Sequence, residues 1–216
     1  MIKYKFKHIQ DKSSYFYYIK NFLSNDEQNE LIEYLDKMND FQPCTNYREQ
    51  VNRYQKWYQK DNKYFCPTWK HRYPRWESFS YNKKLNELQI KIQDKLKKMN
   101  ILDNNFNSCL INKYVNGDDY IHFHRDSITS FGEYPLIVGL SVGSEREIKF
   151  RKVIFNRDNL KSIKSDSDNP IKFKIKLESG SLFIMRGSSQ KYFGHEINRS
   201  DTEDVRYSLT FRNFIL

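Results

Sequence analysis

The chain lacks the features that mark membrane, secreted and zinc-binding proteins. It has no run of about 18 apolar residues, which a membrane-spanning helix requires, and charged or polar side chains interrupt its first 23 residues throughout. Its three cysteines, Cys44, Cys66 and Cys109, are odd in number and widely spaced, which fits neither a disulfide framework nor a zinc site. We therefore expect an intracellular protein with no signal peptide, no membrane contact and reduced thiols.

Glycine is absent from the first 116 residues, and all seven glycines follow them. Because glycine marks tight turns, this asymmetry predicts a turn-rich β region in the second half of the chain. Hydrophobic residues make up only 38% of the chain, but aromatic residues reach 16% and can build a core where aliphatic residues are few. A length of 216 residues then predicts one folded domain and excludes a mainly disordered chain.

The first half contains the sequence signals of a strand and two helices. Residues 15–22 predict a strand, and Ser24 with Glu27 forms a capping box that predicts the start of a helix. A second amphipathic helix is predicted over residues 84–99. The apolar stripes of the two helices, which we expect to face a sheet, are Leu31, Leu35 and Met38 in the first and Leu85, Leu88, Ile92, Leu96 and Met99 in the second.

Residues 41–82 combine aromatic with basic side chains. They contain all three tryptophans, Trp57, Trp69 and Trp76, and eight lysines or arginines interleave with the aromatic residues. Stacking faces among cations suit a single strand or a flipped-out base, but the same rings are equally consistent with a core. The net charge of +10 favours an anionic partner, and residues 1–110 hold most of the excess, with 20 Lys and Arg against 13 Asp and Glu.

Seven short β-rich segments follow residue 105 without a helical pattern between them, which predicts a sandwich or jelly roll. They are residues 107–115, 120–124, 136–142, 147–151, 171–177, 181–185 and 206–213. The dipeptide Asn116-Gly117 predicts a hairpin between the first two. Residues 156–170 have few apolar side chains and predict a surface loop.

His124, Asp126 and His195 form a candidate metal site. Two imidazoles and one carboxylate can occupy one face of an octahedral ion, as in non-haem Fe(II) oxygenases. Residues two apart share one face of an extended segment, so His124 and Asp126 can contact one ion while a later segment supplies His195. Purely structural roles are the alternative, because an HxD sequence is common by chance. His122 is a second, less favoured candidate ligand.

The last predicted strand places two arginines on one face. Its polar and apolar residues alternate, so four polar side chains point the same way: Arg206, Ser208, Thr210 and Arg212. Inward-facing guanidinium groups require an anion, and a dicarboxylate would satisfy both of them. Asn112 and Tyr114, also two residues apart, are candidates for neutral hydrogen bonds to the same ligand. The alternative is a pair of surface arginines on an edge strand.

These motifs, in this order, resemble the AlkB-type dioxygenases, which depend on Fe(II) and 2-oxoglutarate. The resemblance extends over residues 106–214 and depends on segments 106–108, 110–114, 116–121, 124–126, 141–146 and 180–182, on His195 and on segment 206–212. It implies an α+β fold: a double-stranded β-helix (jelly-roll) core, N-terminal helices packed on the sheet and a nucleotide-recognition lid. Residues 1–105 of the single domain would then form the helices and the basic, aromatic lid, and residues 106–216 the catalytic core.

The resemblance also implies a role for each candidate residue. The implied iron ligands, which are also the catalytic residues, are His124, Asp126 and His195. The implied 2-oxoglutarate residues are Asn112, Tyr114, Arg206, Ser208 and Arg212. Among these, Arg206 would bind the distal carboxylate with help from Tyr114. Arg212 and Asn112 would act near the carboxylate that chelates iron.

The activity implied is oxidative demethylation of N-alkylated bases in DNA or RNA by Fe(II), 2-oxoglutarate and O2, with release of formaldehyde, succinate and CO2. We expect a nucleic acid with a methylated base as the partner and a monomeric enzyme. Two departures matter: Ser127-Ile128-Thr129 stands where DNA-repair members often have further acidic residues, and Ser208 replaces the usual Asn. They keep two alternatives open, a protein hydroxylase or demethylase on the same core and a catalytically inactive nucleic-acid-binding protein.

Overall fold

The computed structural model describes residues 1–45, 50–60, 76–153 and 169–215. The first half of the chain contains β1 (Ile2–His8), β2 (Asp11–Ile19), α1 (Asn25–Asp36), β3 (Gln42–Thr45), β4 (Gln50–Gln59), β5 (Ser78–Phe79) and α2 (Lys83–Lys98). The second half contains β6 (Ser108–Tyr114), β7 (Ile121–His124), α3 (Ile128–Phe131), β8 (Ile137–Gly143), β9 (Arg146–Lys152), β10 (Ile171–Leu177), β11 (Ser181–Gly187), α4 (Ser189–Tyr192), β12 (Phe193–Ile197) and β13 (Arg206–Arg212).

The strands form two sheets. Across the described ranges, the large sheet has the order β1-β2-β11-β8-β13-β6-β4-β3 with β5 beside β4, and the small sheet has the order β10-β9-β12-β7. From β6 onwards the chain passes repeatedly from one sheet to the other, which is the topology of a jelly roll. The predicted α+β fold with a jelly-roll core is therefore confirmed.

Apolar side chains pack on both faces of the large sheet. Aromatic rings fill the space between the two sheets, where Phe16 of β2 meets Phe150 of β9 edge to face, with ring centroids 5.1 Å apart. The opposite face packs against the helices, whose residues Leu35 and Ile92 are fully buried. The aromatic residues thus build much of the core, as the composition predicts.

Both predicted helices are present, and the predicted capping box starts the first of them. The Ser24 hydroxyl accepts a hydrogen bond from the Glu27 amide at 3.3 Å, and the Glu27 carboxylate accepts one from the Ser24 amide at 2.9 Å. In α2, the Asn82 side chain accepts from the Leu85 amide at 3.0 Å. Each such cap contributes about 1 kcal/mol to helix stability.

The predicted hairpin at Asn116-Gly117 is wrong. The strand before it, β6, lies in the large sheet and the strand after it, β7, lies in the small sheet, so the turn joins two sheets instead of two paired strands. A Cβ atom on Gly117 would lie 1.8 Å from the Ser200 carbonyl oxygen, and the Gly117 amide donates to Thr202 at 2.6 Å. Glycine is needed here for close backbone approach, which the dipeptide alone does not distinguish from a hairpin.

The seven predicted C-terminal strands are all present, but five further strands of the described ranges lie outside every predicted strand: β1, β3, β4, β5 and β12. Of the aromatic residues in segment 41–82, Trp57 and Tyr58 lie on β4 and are 1% and 3% exposed. The core interpretation is right for Tyr58, which packs in the core on the helix side, whereas Trp57 packs with Phe131 and Phe214. Trp69 and most of the predicted loop 156–170 lie outside the described residues.

Neither Cys44 nor Cys109 forms a disulfide within the described residues, and Arg53 Nη2 donates to Cys44 Sγ at 3.0 Å. Cys109 is buried and Cys44 is half-buried, and Cys66 lies outside the described residues. None of the helices within the described ranges has the length and apolarity needed to cross a bilayer.

Candidate active site

One cavity of about 530 Å³ lies between the two sheets. All eight residues predicted from the sequence line it: Asn112, Tyr114, His124, Asp126, His195, Arg206, Ser208 and Arg212. They come from four strands and one loop, and 100 positions separate the first of them from the last. The structure therefore brings together residues that the sequence presents as four separate motifs.

The two imidazoles lie on neighbouring strands of the small sheet. His124 ends β7 and faces His195 of β12 as its cross-strand partner, with ring centroids 4.3 Å apart. His124 Nδ1 lies 2.8 Å from the His122 carbonyl oxygen and must donate to it, because a carbonyl only accepts. His124 Nε2 is then the nitrogen with a free lone pair, the arrangement common in metal-binding histidines.

Asp126 lies two residues beyond His124, with 7% of its side chain exposed. One carboxylate oxygen, Oδ1, accepts from Arg212 Nη2 at 2.5 Å. The other, Oδ2, is buried with no hydrogen-bond partner in the described structure, and the same holds for His195 Nδ1. Buried polar atoms without a partner are rare, and those at a cavity wall are typical of a ligand site.

The protonation states suit a metal ion. Burial lowers the pKa of His195 to about 3, and burial also lowers the pKa of His124, so both rings are neutral near pH 7. Burial alone would raise the pKa of Asp126, but the positive charge of the Arg212 guanidinium outweighs it, so the pKa falls below its usual value. Two neutral imidazoles and one carboxylate are the donor set of a facial Fe(II) site.

The three side chains supply the right donors without forming a finished metal centre. Within the described ranges, no group of three His, Cys, Asp or Glu side chains is arranged tightly enough to hold an ion as it stands. The ligand assignment therefore stays a prediction, supported by the two unpartnered donor atoms. The alternative ligand, His122, is exposed, and its ring packs edge to face on Tyr120 with centroids 4.6 Å apart.

At the other end of the cavity, Arg206 is a buried cation. It is 1% exposed, its Nη2 donates to the Ser141 hydroxyl at 3.0 Å, and its guanidinium carbon lies 4.9 Å from the centre of the Tyr114 ring. Its Nε and Nη1 groups have no hydrogen-bond partner in the described structure. Burying a guanidinium with two unused donors is costly unless an anion binds there.

The polar face predicted for the last strand is confirmed by β13. Arg206, Ser208, Thr210 and Arg212 all line the cavity, while the alternate residues Tyr207, Leu209 and Phe211 are buried in the core on the helix side. Asn112 of β6 is the cross-strand partner of Ser208, and its Oδ1 is buried without a hydrogen-bond partner in the described residues. The alternative of two surface arginines on an edge strand is excluded, because β13 lies between β6 and β8.

Three further residues of the cavity wall were not predicted as site residues from the sequence. Phe131 packs on Arg212, with its ring centre 5.1 Å from the guanidinium carbon. Ser127 lines the cavity and also caps α3, where it accepts from the Ser130 amide at 3.2 Å. A further buried arginine, Arg53 of β4, donates to the Tyr120 carbonyl at 2.8 Å. It is one of the eight basic residues of segment 41–82, but no sequence signal shows that it enters the cavity.

Comparisons with known proteins agree with this architecture. Residues 15–212 match the family described as the 2OG-Fe(II) oxygenase superfamily. The chain is 33% identical over 120 residues to the DNA oxidative demethylase ALKBH2 of Arabidopsis thaliana, and 34% identical over 108 residues to the human alpha-ketoglutarate-dependent dioxygenase alkB homolog 3. These matches cover 50% of this chain but only 37% and 36% of those proteins, so the chain aligns with about a third of their length.

Solved structures extend the likeness to nearly the whole fold. The structure of OsALKBH1 superimposes with a TM-score of 0.58 at 17% identity and covers 92% of this chain and 97% of that one. A prolyl-4-hydroxylase from Pseudomonas putida superimposes with a TM-score of 0.56 at 15% identity and covers 92% of each chain. At these identities the similarity concerns the fold alone.

Proposed function

Because the chain belongs to the 2OG-Fe(II) oxygenase superfamily, we propose that it is a dioxygenase that removes N-linked alkyl groups from bases of DNA or RNA. The family implies Fe(II), 2-oxoglutarate and O2 as reactants, and the proposed products are formaldehyde, succinate, CO2 and the repaired base. The observation that supports this most strongly is the cavity, which is lined by the His/Asp set and by Arg206, each with two buried atoms that have no hydrogen-bond partner in the described structure.

In this proposal His124, Asp126 and His195 hold the iron. Bound Fe(II) would activate O2, the oxidant, and 2-oxoglutarate would supply two of the electrons as it is oxidised to succinate and CO2. The protein sets the protonation states of these ligands, since burial keeps both imidazoles neutral and Arg212 keeps the carboxylate ionised. The hydrogen bond from His124 Nδ1 to the His122 carbonyl also fixes the direction of that ring.

The large sheet holds 2-oxoglutarate in this proposal. Arg206 offers two free donors to the distal carboxylate, and Tyr114 lies against its guanidinium. Arg212 and Asn112 lie nearer the metal end, where Arg212 already contacts Asp126. Ser208 supplies one hydroxyl where the related enzymes usually have an amide, so we expect co-substrate binding that persists but is weaker.

A nucleic-acid substrate is supported by charge and by similarity. Both curated relatives named above are AlkB homologues, and one of them is named as a DNA demethylase. This chain has a net charge of +10, which favours a polyanion. Trp57, Trp76 and Phe131 form an apolar wall of the cavity suited to a flat ring.

The direct test uses a single-stranded oligonucleotide that carries one 1-methyladenine. The protein is incubated with it, Fe(II), ascorbate and 2-oxoglutarate, and oligonucleotide mass and succinate are measured together, with the unmethylated oligonucleotide as the control. We expect a loss of 14 mass units, one CH2, matched by succinate. Succinate release on another substrate with the methylated oligonucleotide untouched would contradict the demethylase proposal.

A protein hydroxylase or demethylase is the second candidate. Asp126 is the single carboxylate among the described cavity-lining residues, so these residues offer no second acid to accept the exocyclic amine of a base. Screening peptides by succinate release tests this candidate. An absence of Fe(II)-dependent succinate in every assay would instead favour an inactive nucleic-acid-binding protein.

A further inference from the structure

A buried glutamine outside the cavity contacts the backbone of Asp126. Gln190 lies in α4 and is 1% exposed. Its Oε1 accepts a hydrogen bond from the Asp126 amide at 2.8 Å, and its Nε2 lies 3.2 Å from Met185 Sδ. Gln190 is not among the residues that line the cavity, and its link to the candidate metal ligands is the hydrogen bond to the Asp126 backbone.

The position of α4 gives this contact its significance. The helix directly precedes β12, so the segment that holds the Asp126 backbone also leads, five residues later, to His195. Asp126 follows β7, and β7 and β12 are paired strands. A shift of α4 would therefore move Asp126 relative to both histidines of the small sheet.

A second buried carboxylate, Asp11, fastens α4 to the β1–β2 hairpin. The Asp11 side chain is 2% exposed. It accepts hydrogen bonds from Ser188 Oγ at 3.0 Å, from Lys191 Nζ at 2.5 Å and from the Tyr192 hydroxyl at 3.2 Å. Ser188 directly precedes α4, and Lys191 and Tyr192 are the last two residues of α4. Asp11 therefore contacts both ends of the helical turn that contains Gln190.

We propose that Gln190 is a positioning residue for the candidate iron ligand Asp126, and that Asp11 supports it by fixing α4. The Gln190 carbonyl holds the Asp126 backbone, Arg212 holds one carboxylate oxygen, and the remaining oxygen faces the cavity. Groups that orient a metal ligand without touching the metal typically change affinity by about 10- to 100-fold when they are lost. This inference rests on the ligand role proposed above for Asp126.

The test compares two buried glutamines. Gln190→Met removes the acceptor at similar volume, and Gln89→Met is the matched control, because Gln89 is 2% exposed and donates to the Phe106 carbonyl at 2.9 Å in α2, away from the cavity. Mn²⁺ affinity is measured from the electron paramagnetic resonance signal of the free ion, and melting temperature is recorded without metal. We expect both variants to lose stability, but only Gln190→Met to bind Mn²⁺ about 10-fold more weakly or worse.

Asp11→Asn provides a second, milder variant in case Gln190→Met does not fold. It removes the ion pair with Lys191 but leaves Gln190 and Asp126 intact, so we expect a smaller loss of Mn²⁺ affinity. Mn²⁺ binding within twofold of wild type in the folded variants would overturn the proposal. A wild-type protein that binds no Mn²⁺ would overturn it together with the ligand assignment.

The demethylase proposal fails by a different result. If Mn²⁺ binds with the expected pattern but methylated oligonucleotides stay unchanged, the substrate is wrong and the role of Gln190 stands. The two proposals are therefore separated by a binding measurement that needs no substrate.

Discussion

The two sheets of the jelly roll contribute opposite chemistry to one cavity. The small sheet presents neutral imidazoles, His124 and His195, whose lone pairs suit a cation. The large sheet presents cations, Arg206 and Arg212, whose N–H groups suit an anion. An ion pair joins the two sets, because Arg212 of the large sheet contacts Asp126, the second residue after β7.

This division shows how a single dicarboxylate can be held at both ends. A ligand in the cavity would meet the two free N–H groups of Arg206, Nε and Nη1, at one end and the free donor atoms of Asp126 and His195 at the other. Substitutions in the small sheet should therefore affect metal binding first, and substitutions in the large sheet should affect 2-oxoglutarate binding first. The following variants test whether the small sheet binds the metal and the large sheet binds 2-oxoglutarate.

Asp126→Ala should abolish turnover while the fold stays intact, because it removes the only carboxylate among the described cavity residues. Succinate formation and Mn²⁺ binding are measured together. Glu196→Gln is the control, since Glu196 is a buried carboxylate beside His195 that pairs with Arg151 at 3.1 Å. Retained Fe(II)-dependent turnover in Asp126→Ala would refute its ligand role.

Arg206→Ala should raise the KM for 2-oxoglutarate by about 10- to 150-fold, because a hydrogen bond to a charged group contributes roughly 1.5–3 kcal/mol. Mn²⁺ affinity in the absence of 2-oxoglutarate should stay unchanged. Arg186→Ala, which removes an arginine of the same sheet paired with Asp103 at 2.9 Å, is the control. An unchanged KM in Arg206→Ala would count against the proposed role.

Arg212→Met should lower the affinity for Mn²⁺ and for 2-oxoglutarate by about tenfold each, because the Arg212 guanidinium lies between the two sets of residues. It pairs with Asp126 at 2.5 Å and lies against Phe131, so its loss leaves a buried carboxylate without its partner. Separate titrations with Mn²⁺ and 2-oxoglutarate measure the two effects. A loss of affinity for one ligand alone would show that Arg212 contributes to binding only that ligand.

Ser208→Asn should strengthen 2-oxoglutarate binding slightly. An amide has two donors where the hydroxyl has one, and one additional hydrogen bond corresponds to roughly a 2- to 10-fold lower KM. Steady-state kinetics with varied 2-oxoglutarate measure the change. A higher KM would show that the cavity at Ser208, which lies opposite Asn112, has no room for the amide.

The large-sheet residues were predictable because alternation is visible in the sequence. Strand β13 alternates strictly, so the shared face of its arginines follows from the period of two residues. The capping box of α1 was predictable because Ser24 and Glu27 lie within one turn, so the motif is local in the sequence.

The small-sheet geometry was harder to predict. Strand β12 is buried at every position and contains a glycine and a glutamate, so its sequence shows no alternation. His195 was therefore predicted as a ligand, but the strand that carries it was not predicted. Gln190 gave no signal at all, because α4 is a single turn and the contact with Asp126 joins residues 64 positions apart. Asn116-Gly117 misled for a related reason, since its glycine is set by contact with residues 200–202.

Calorimetric titration of 2-oxoglutarate into wild-type protein, with and without saturating Mn²⁺, tests most directly whether one ligand bridges the two sheets. If the large sheet holds one carboxylate and the metal of the small sheet holds the other end, Mn²⁺ should tighten 2-oxoglutarate binding by about 5- to 150-fold. By linkage, 2-oxoglutarate should tighten Mn²⁺ binding by the same factor. Equal affinity for 2-oxoglutarate in both titrations would contradict this arrangement.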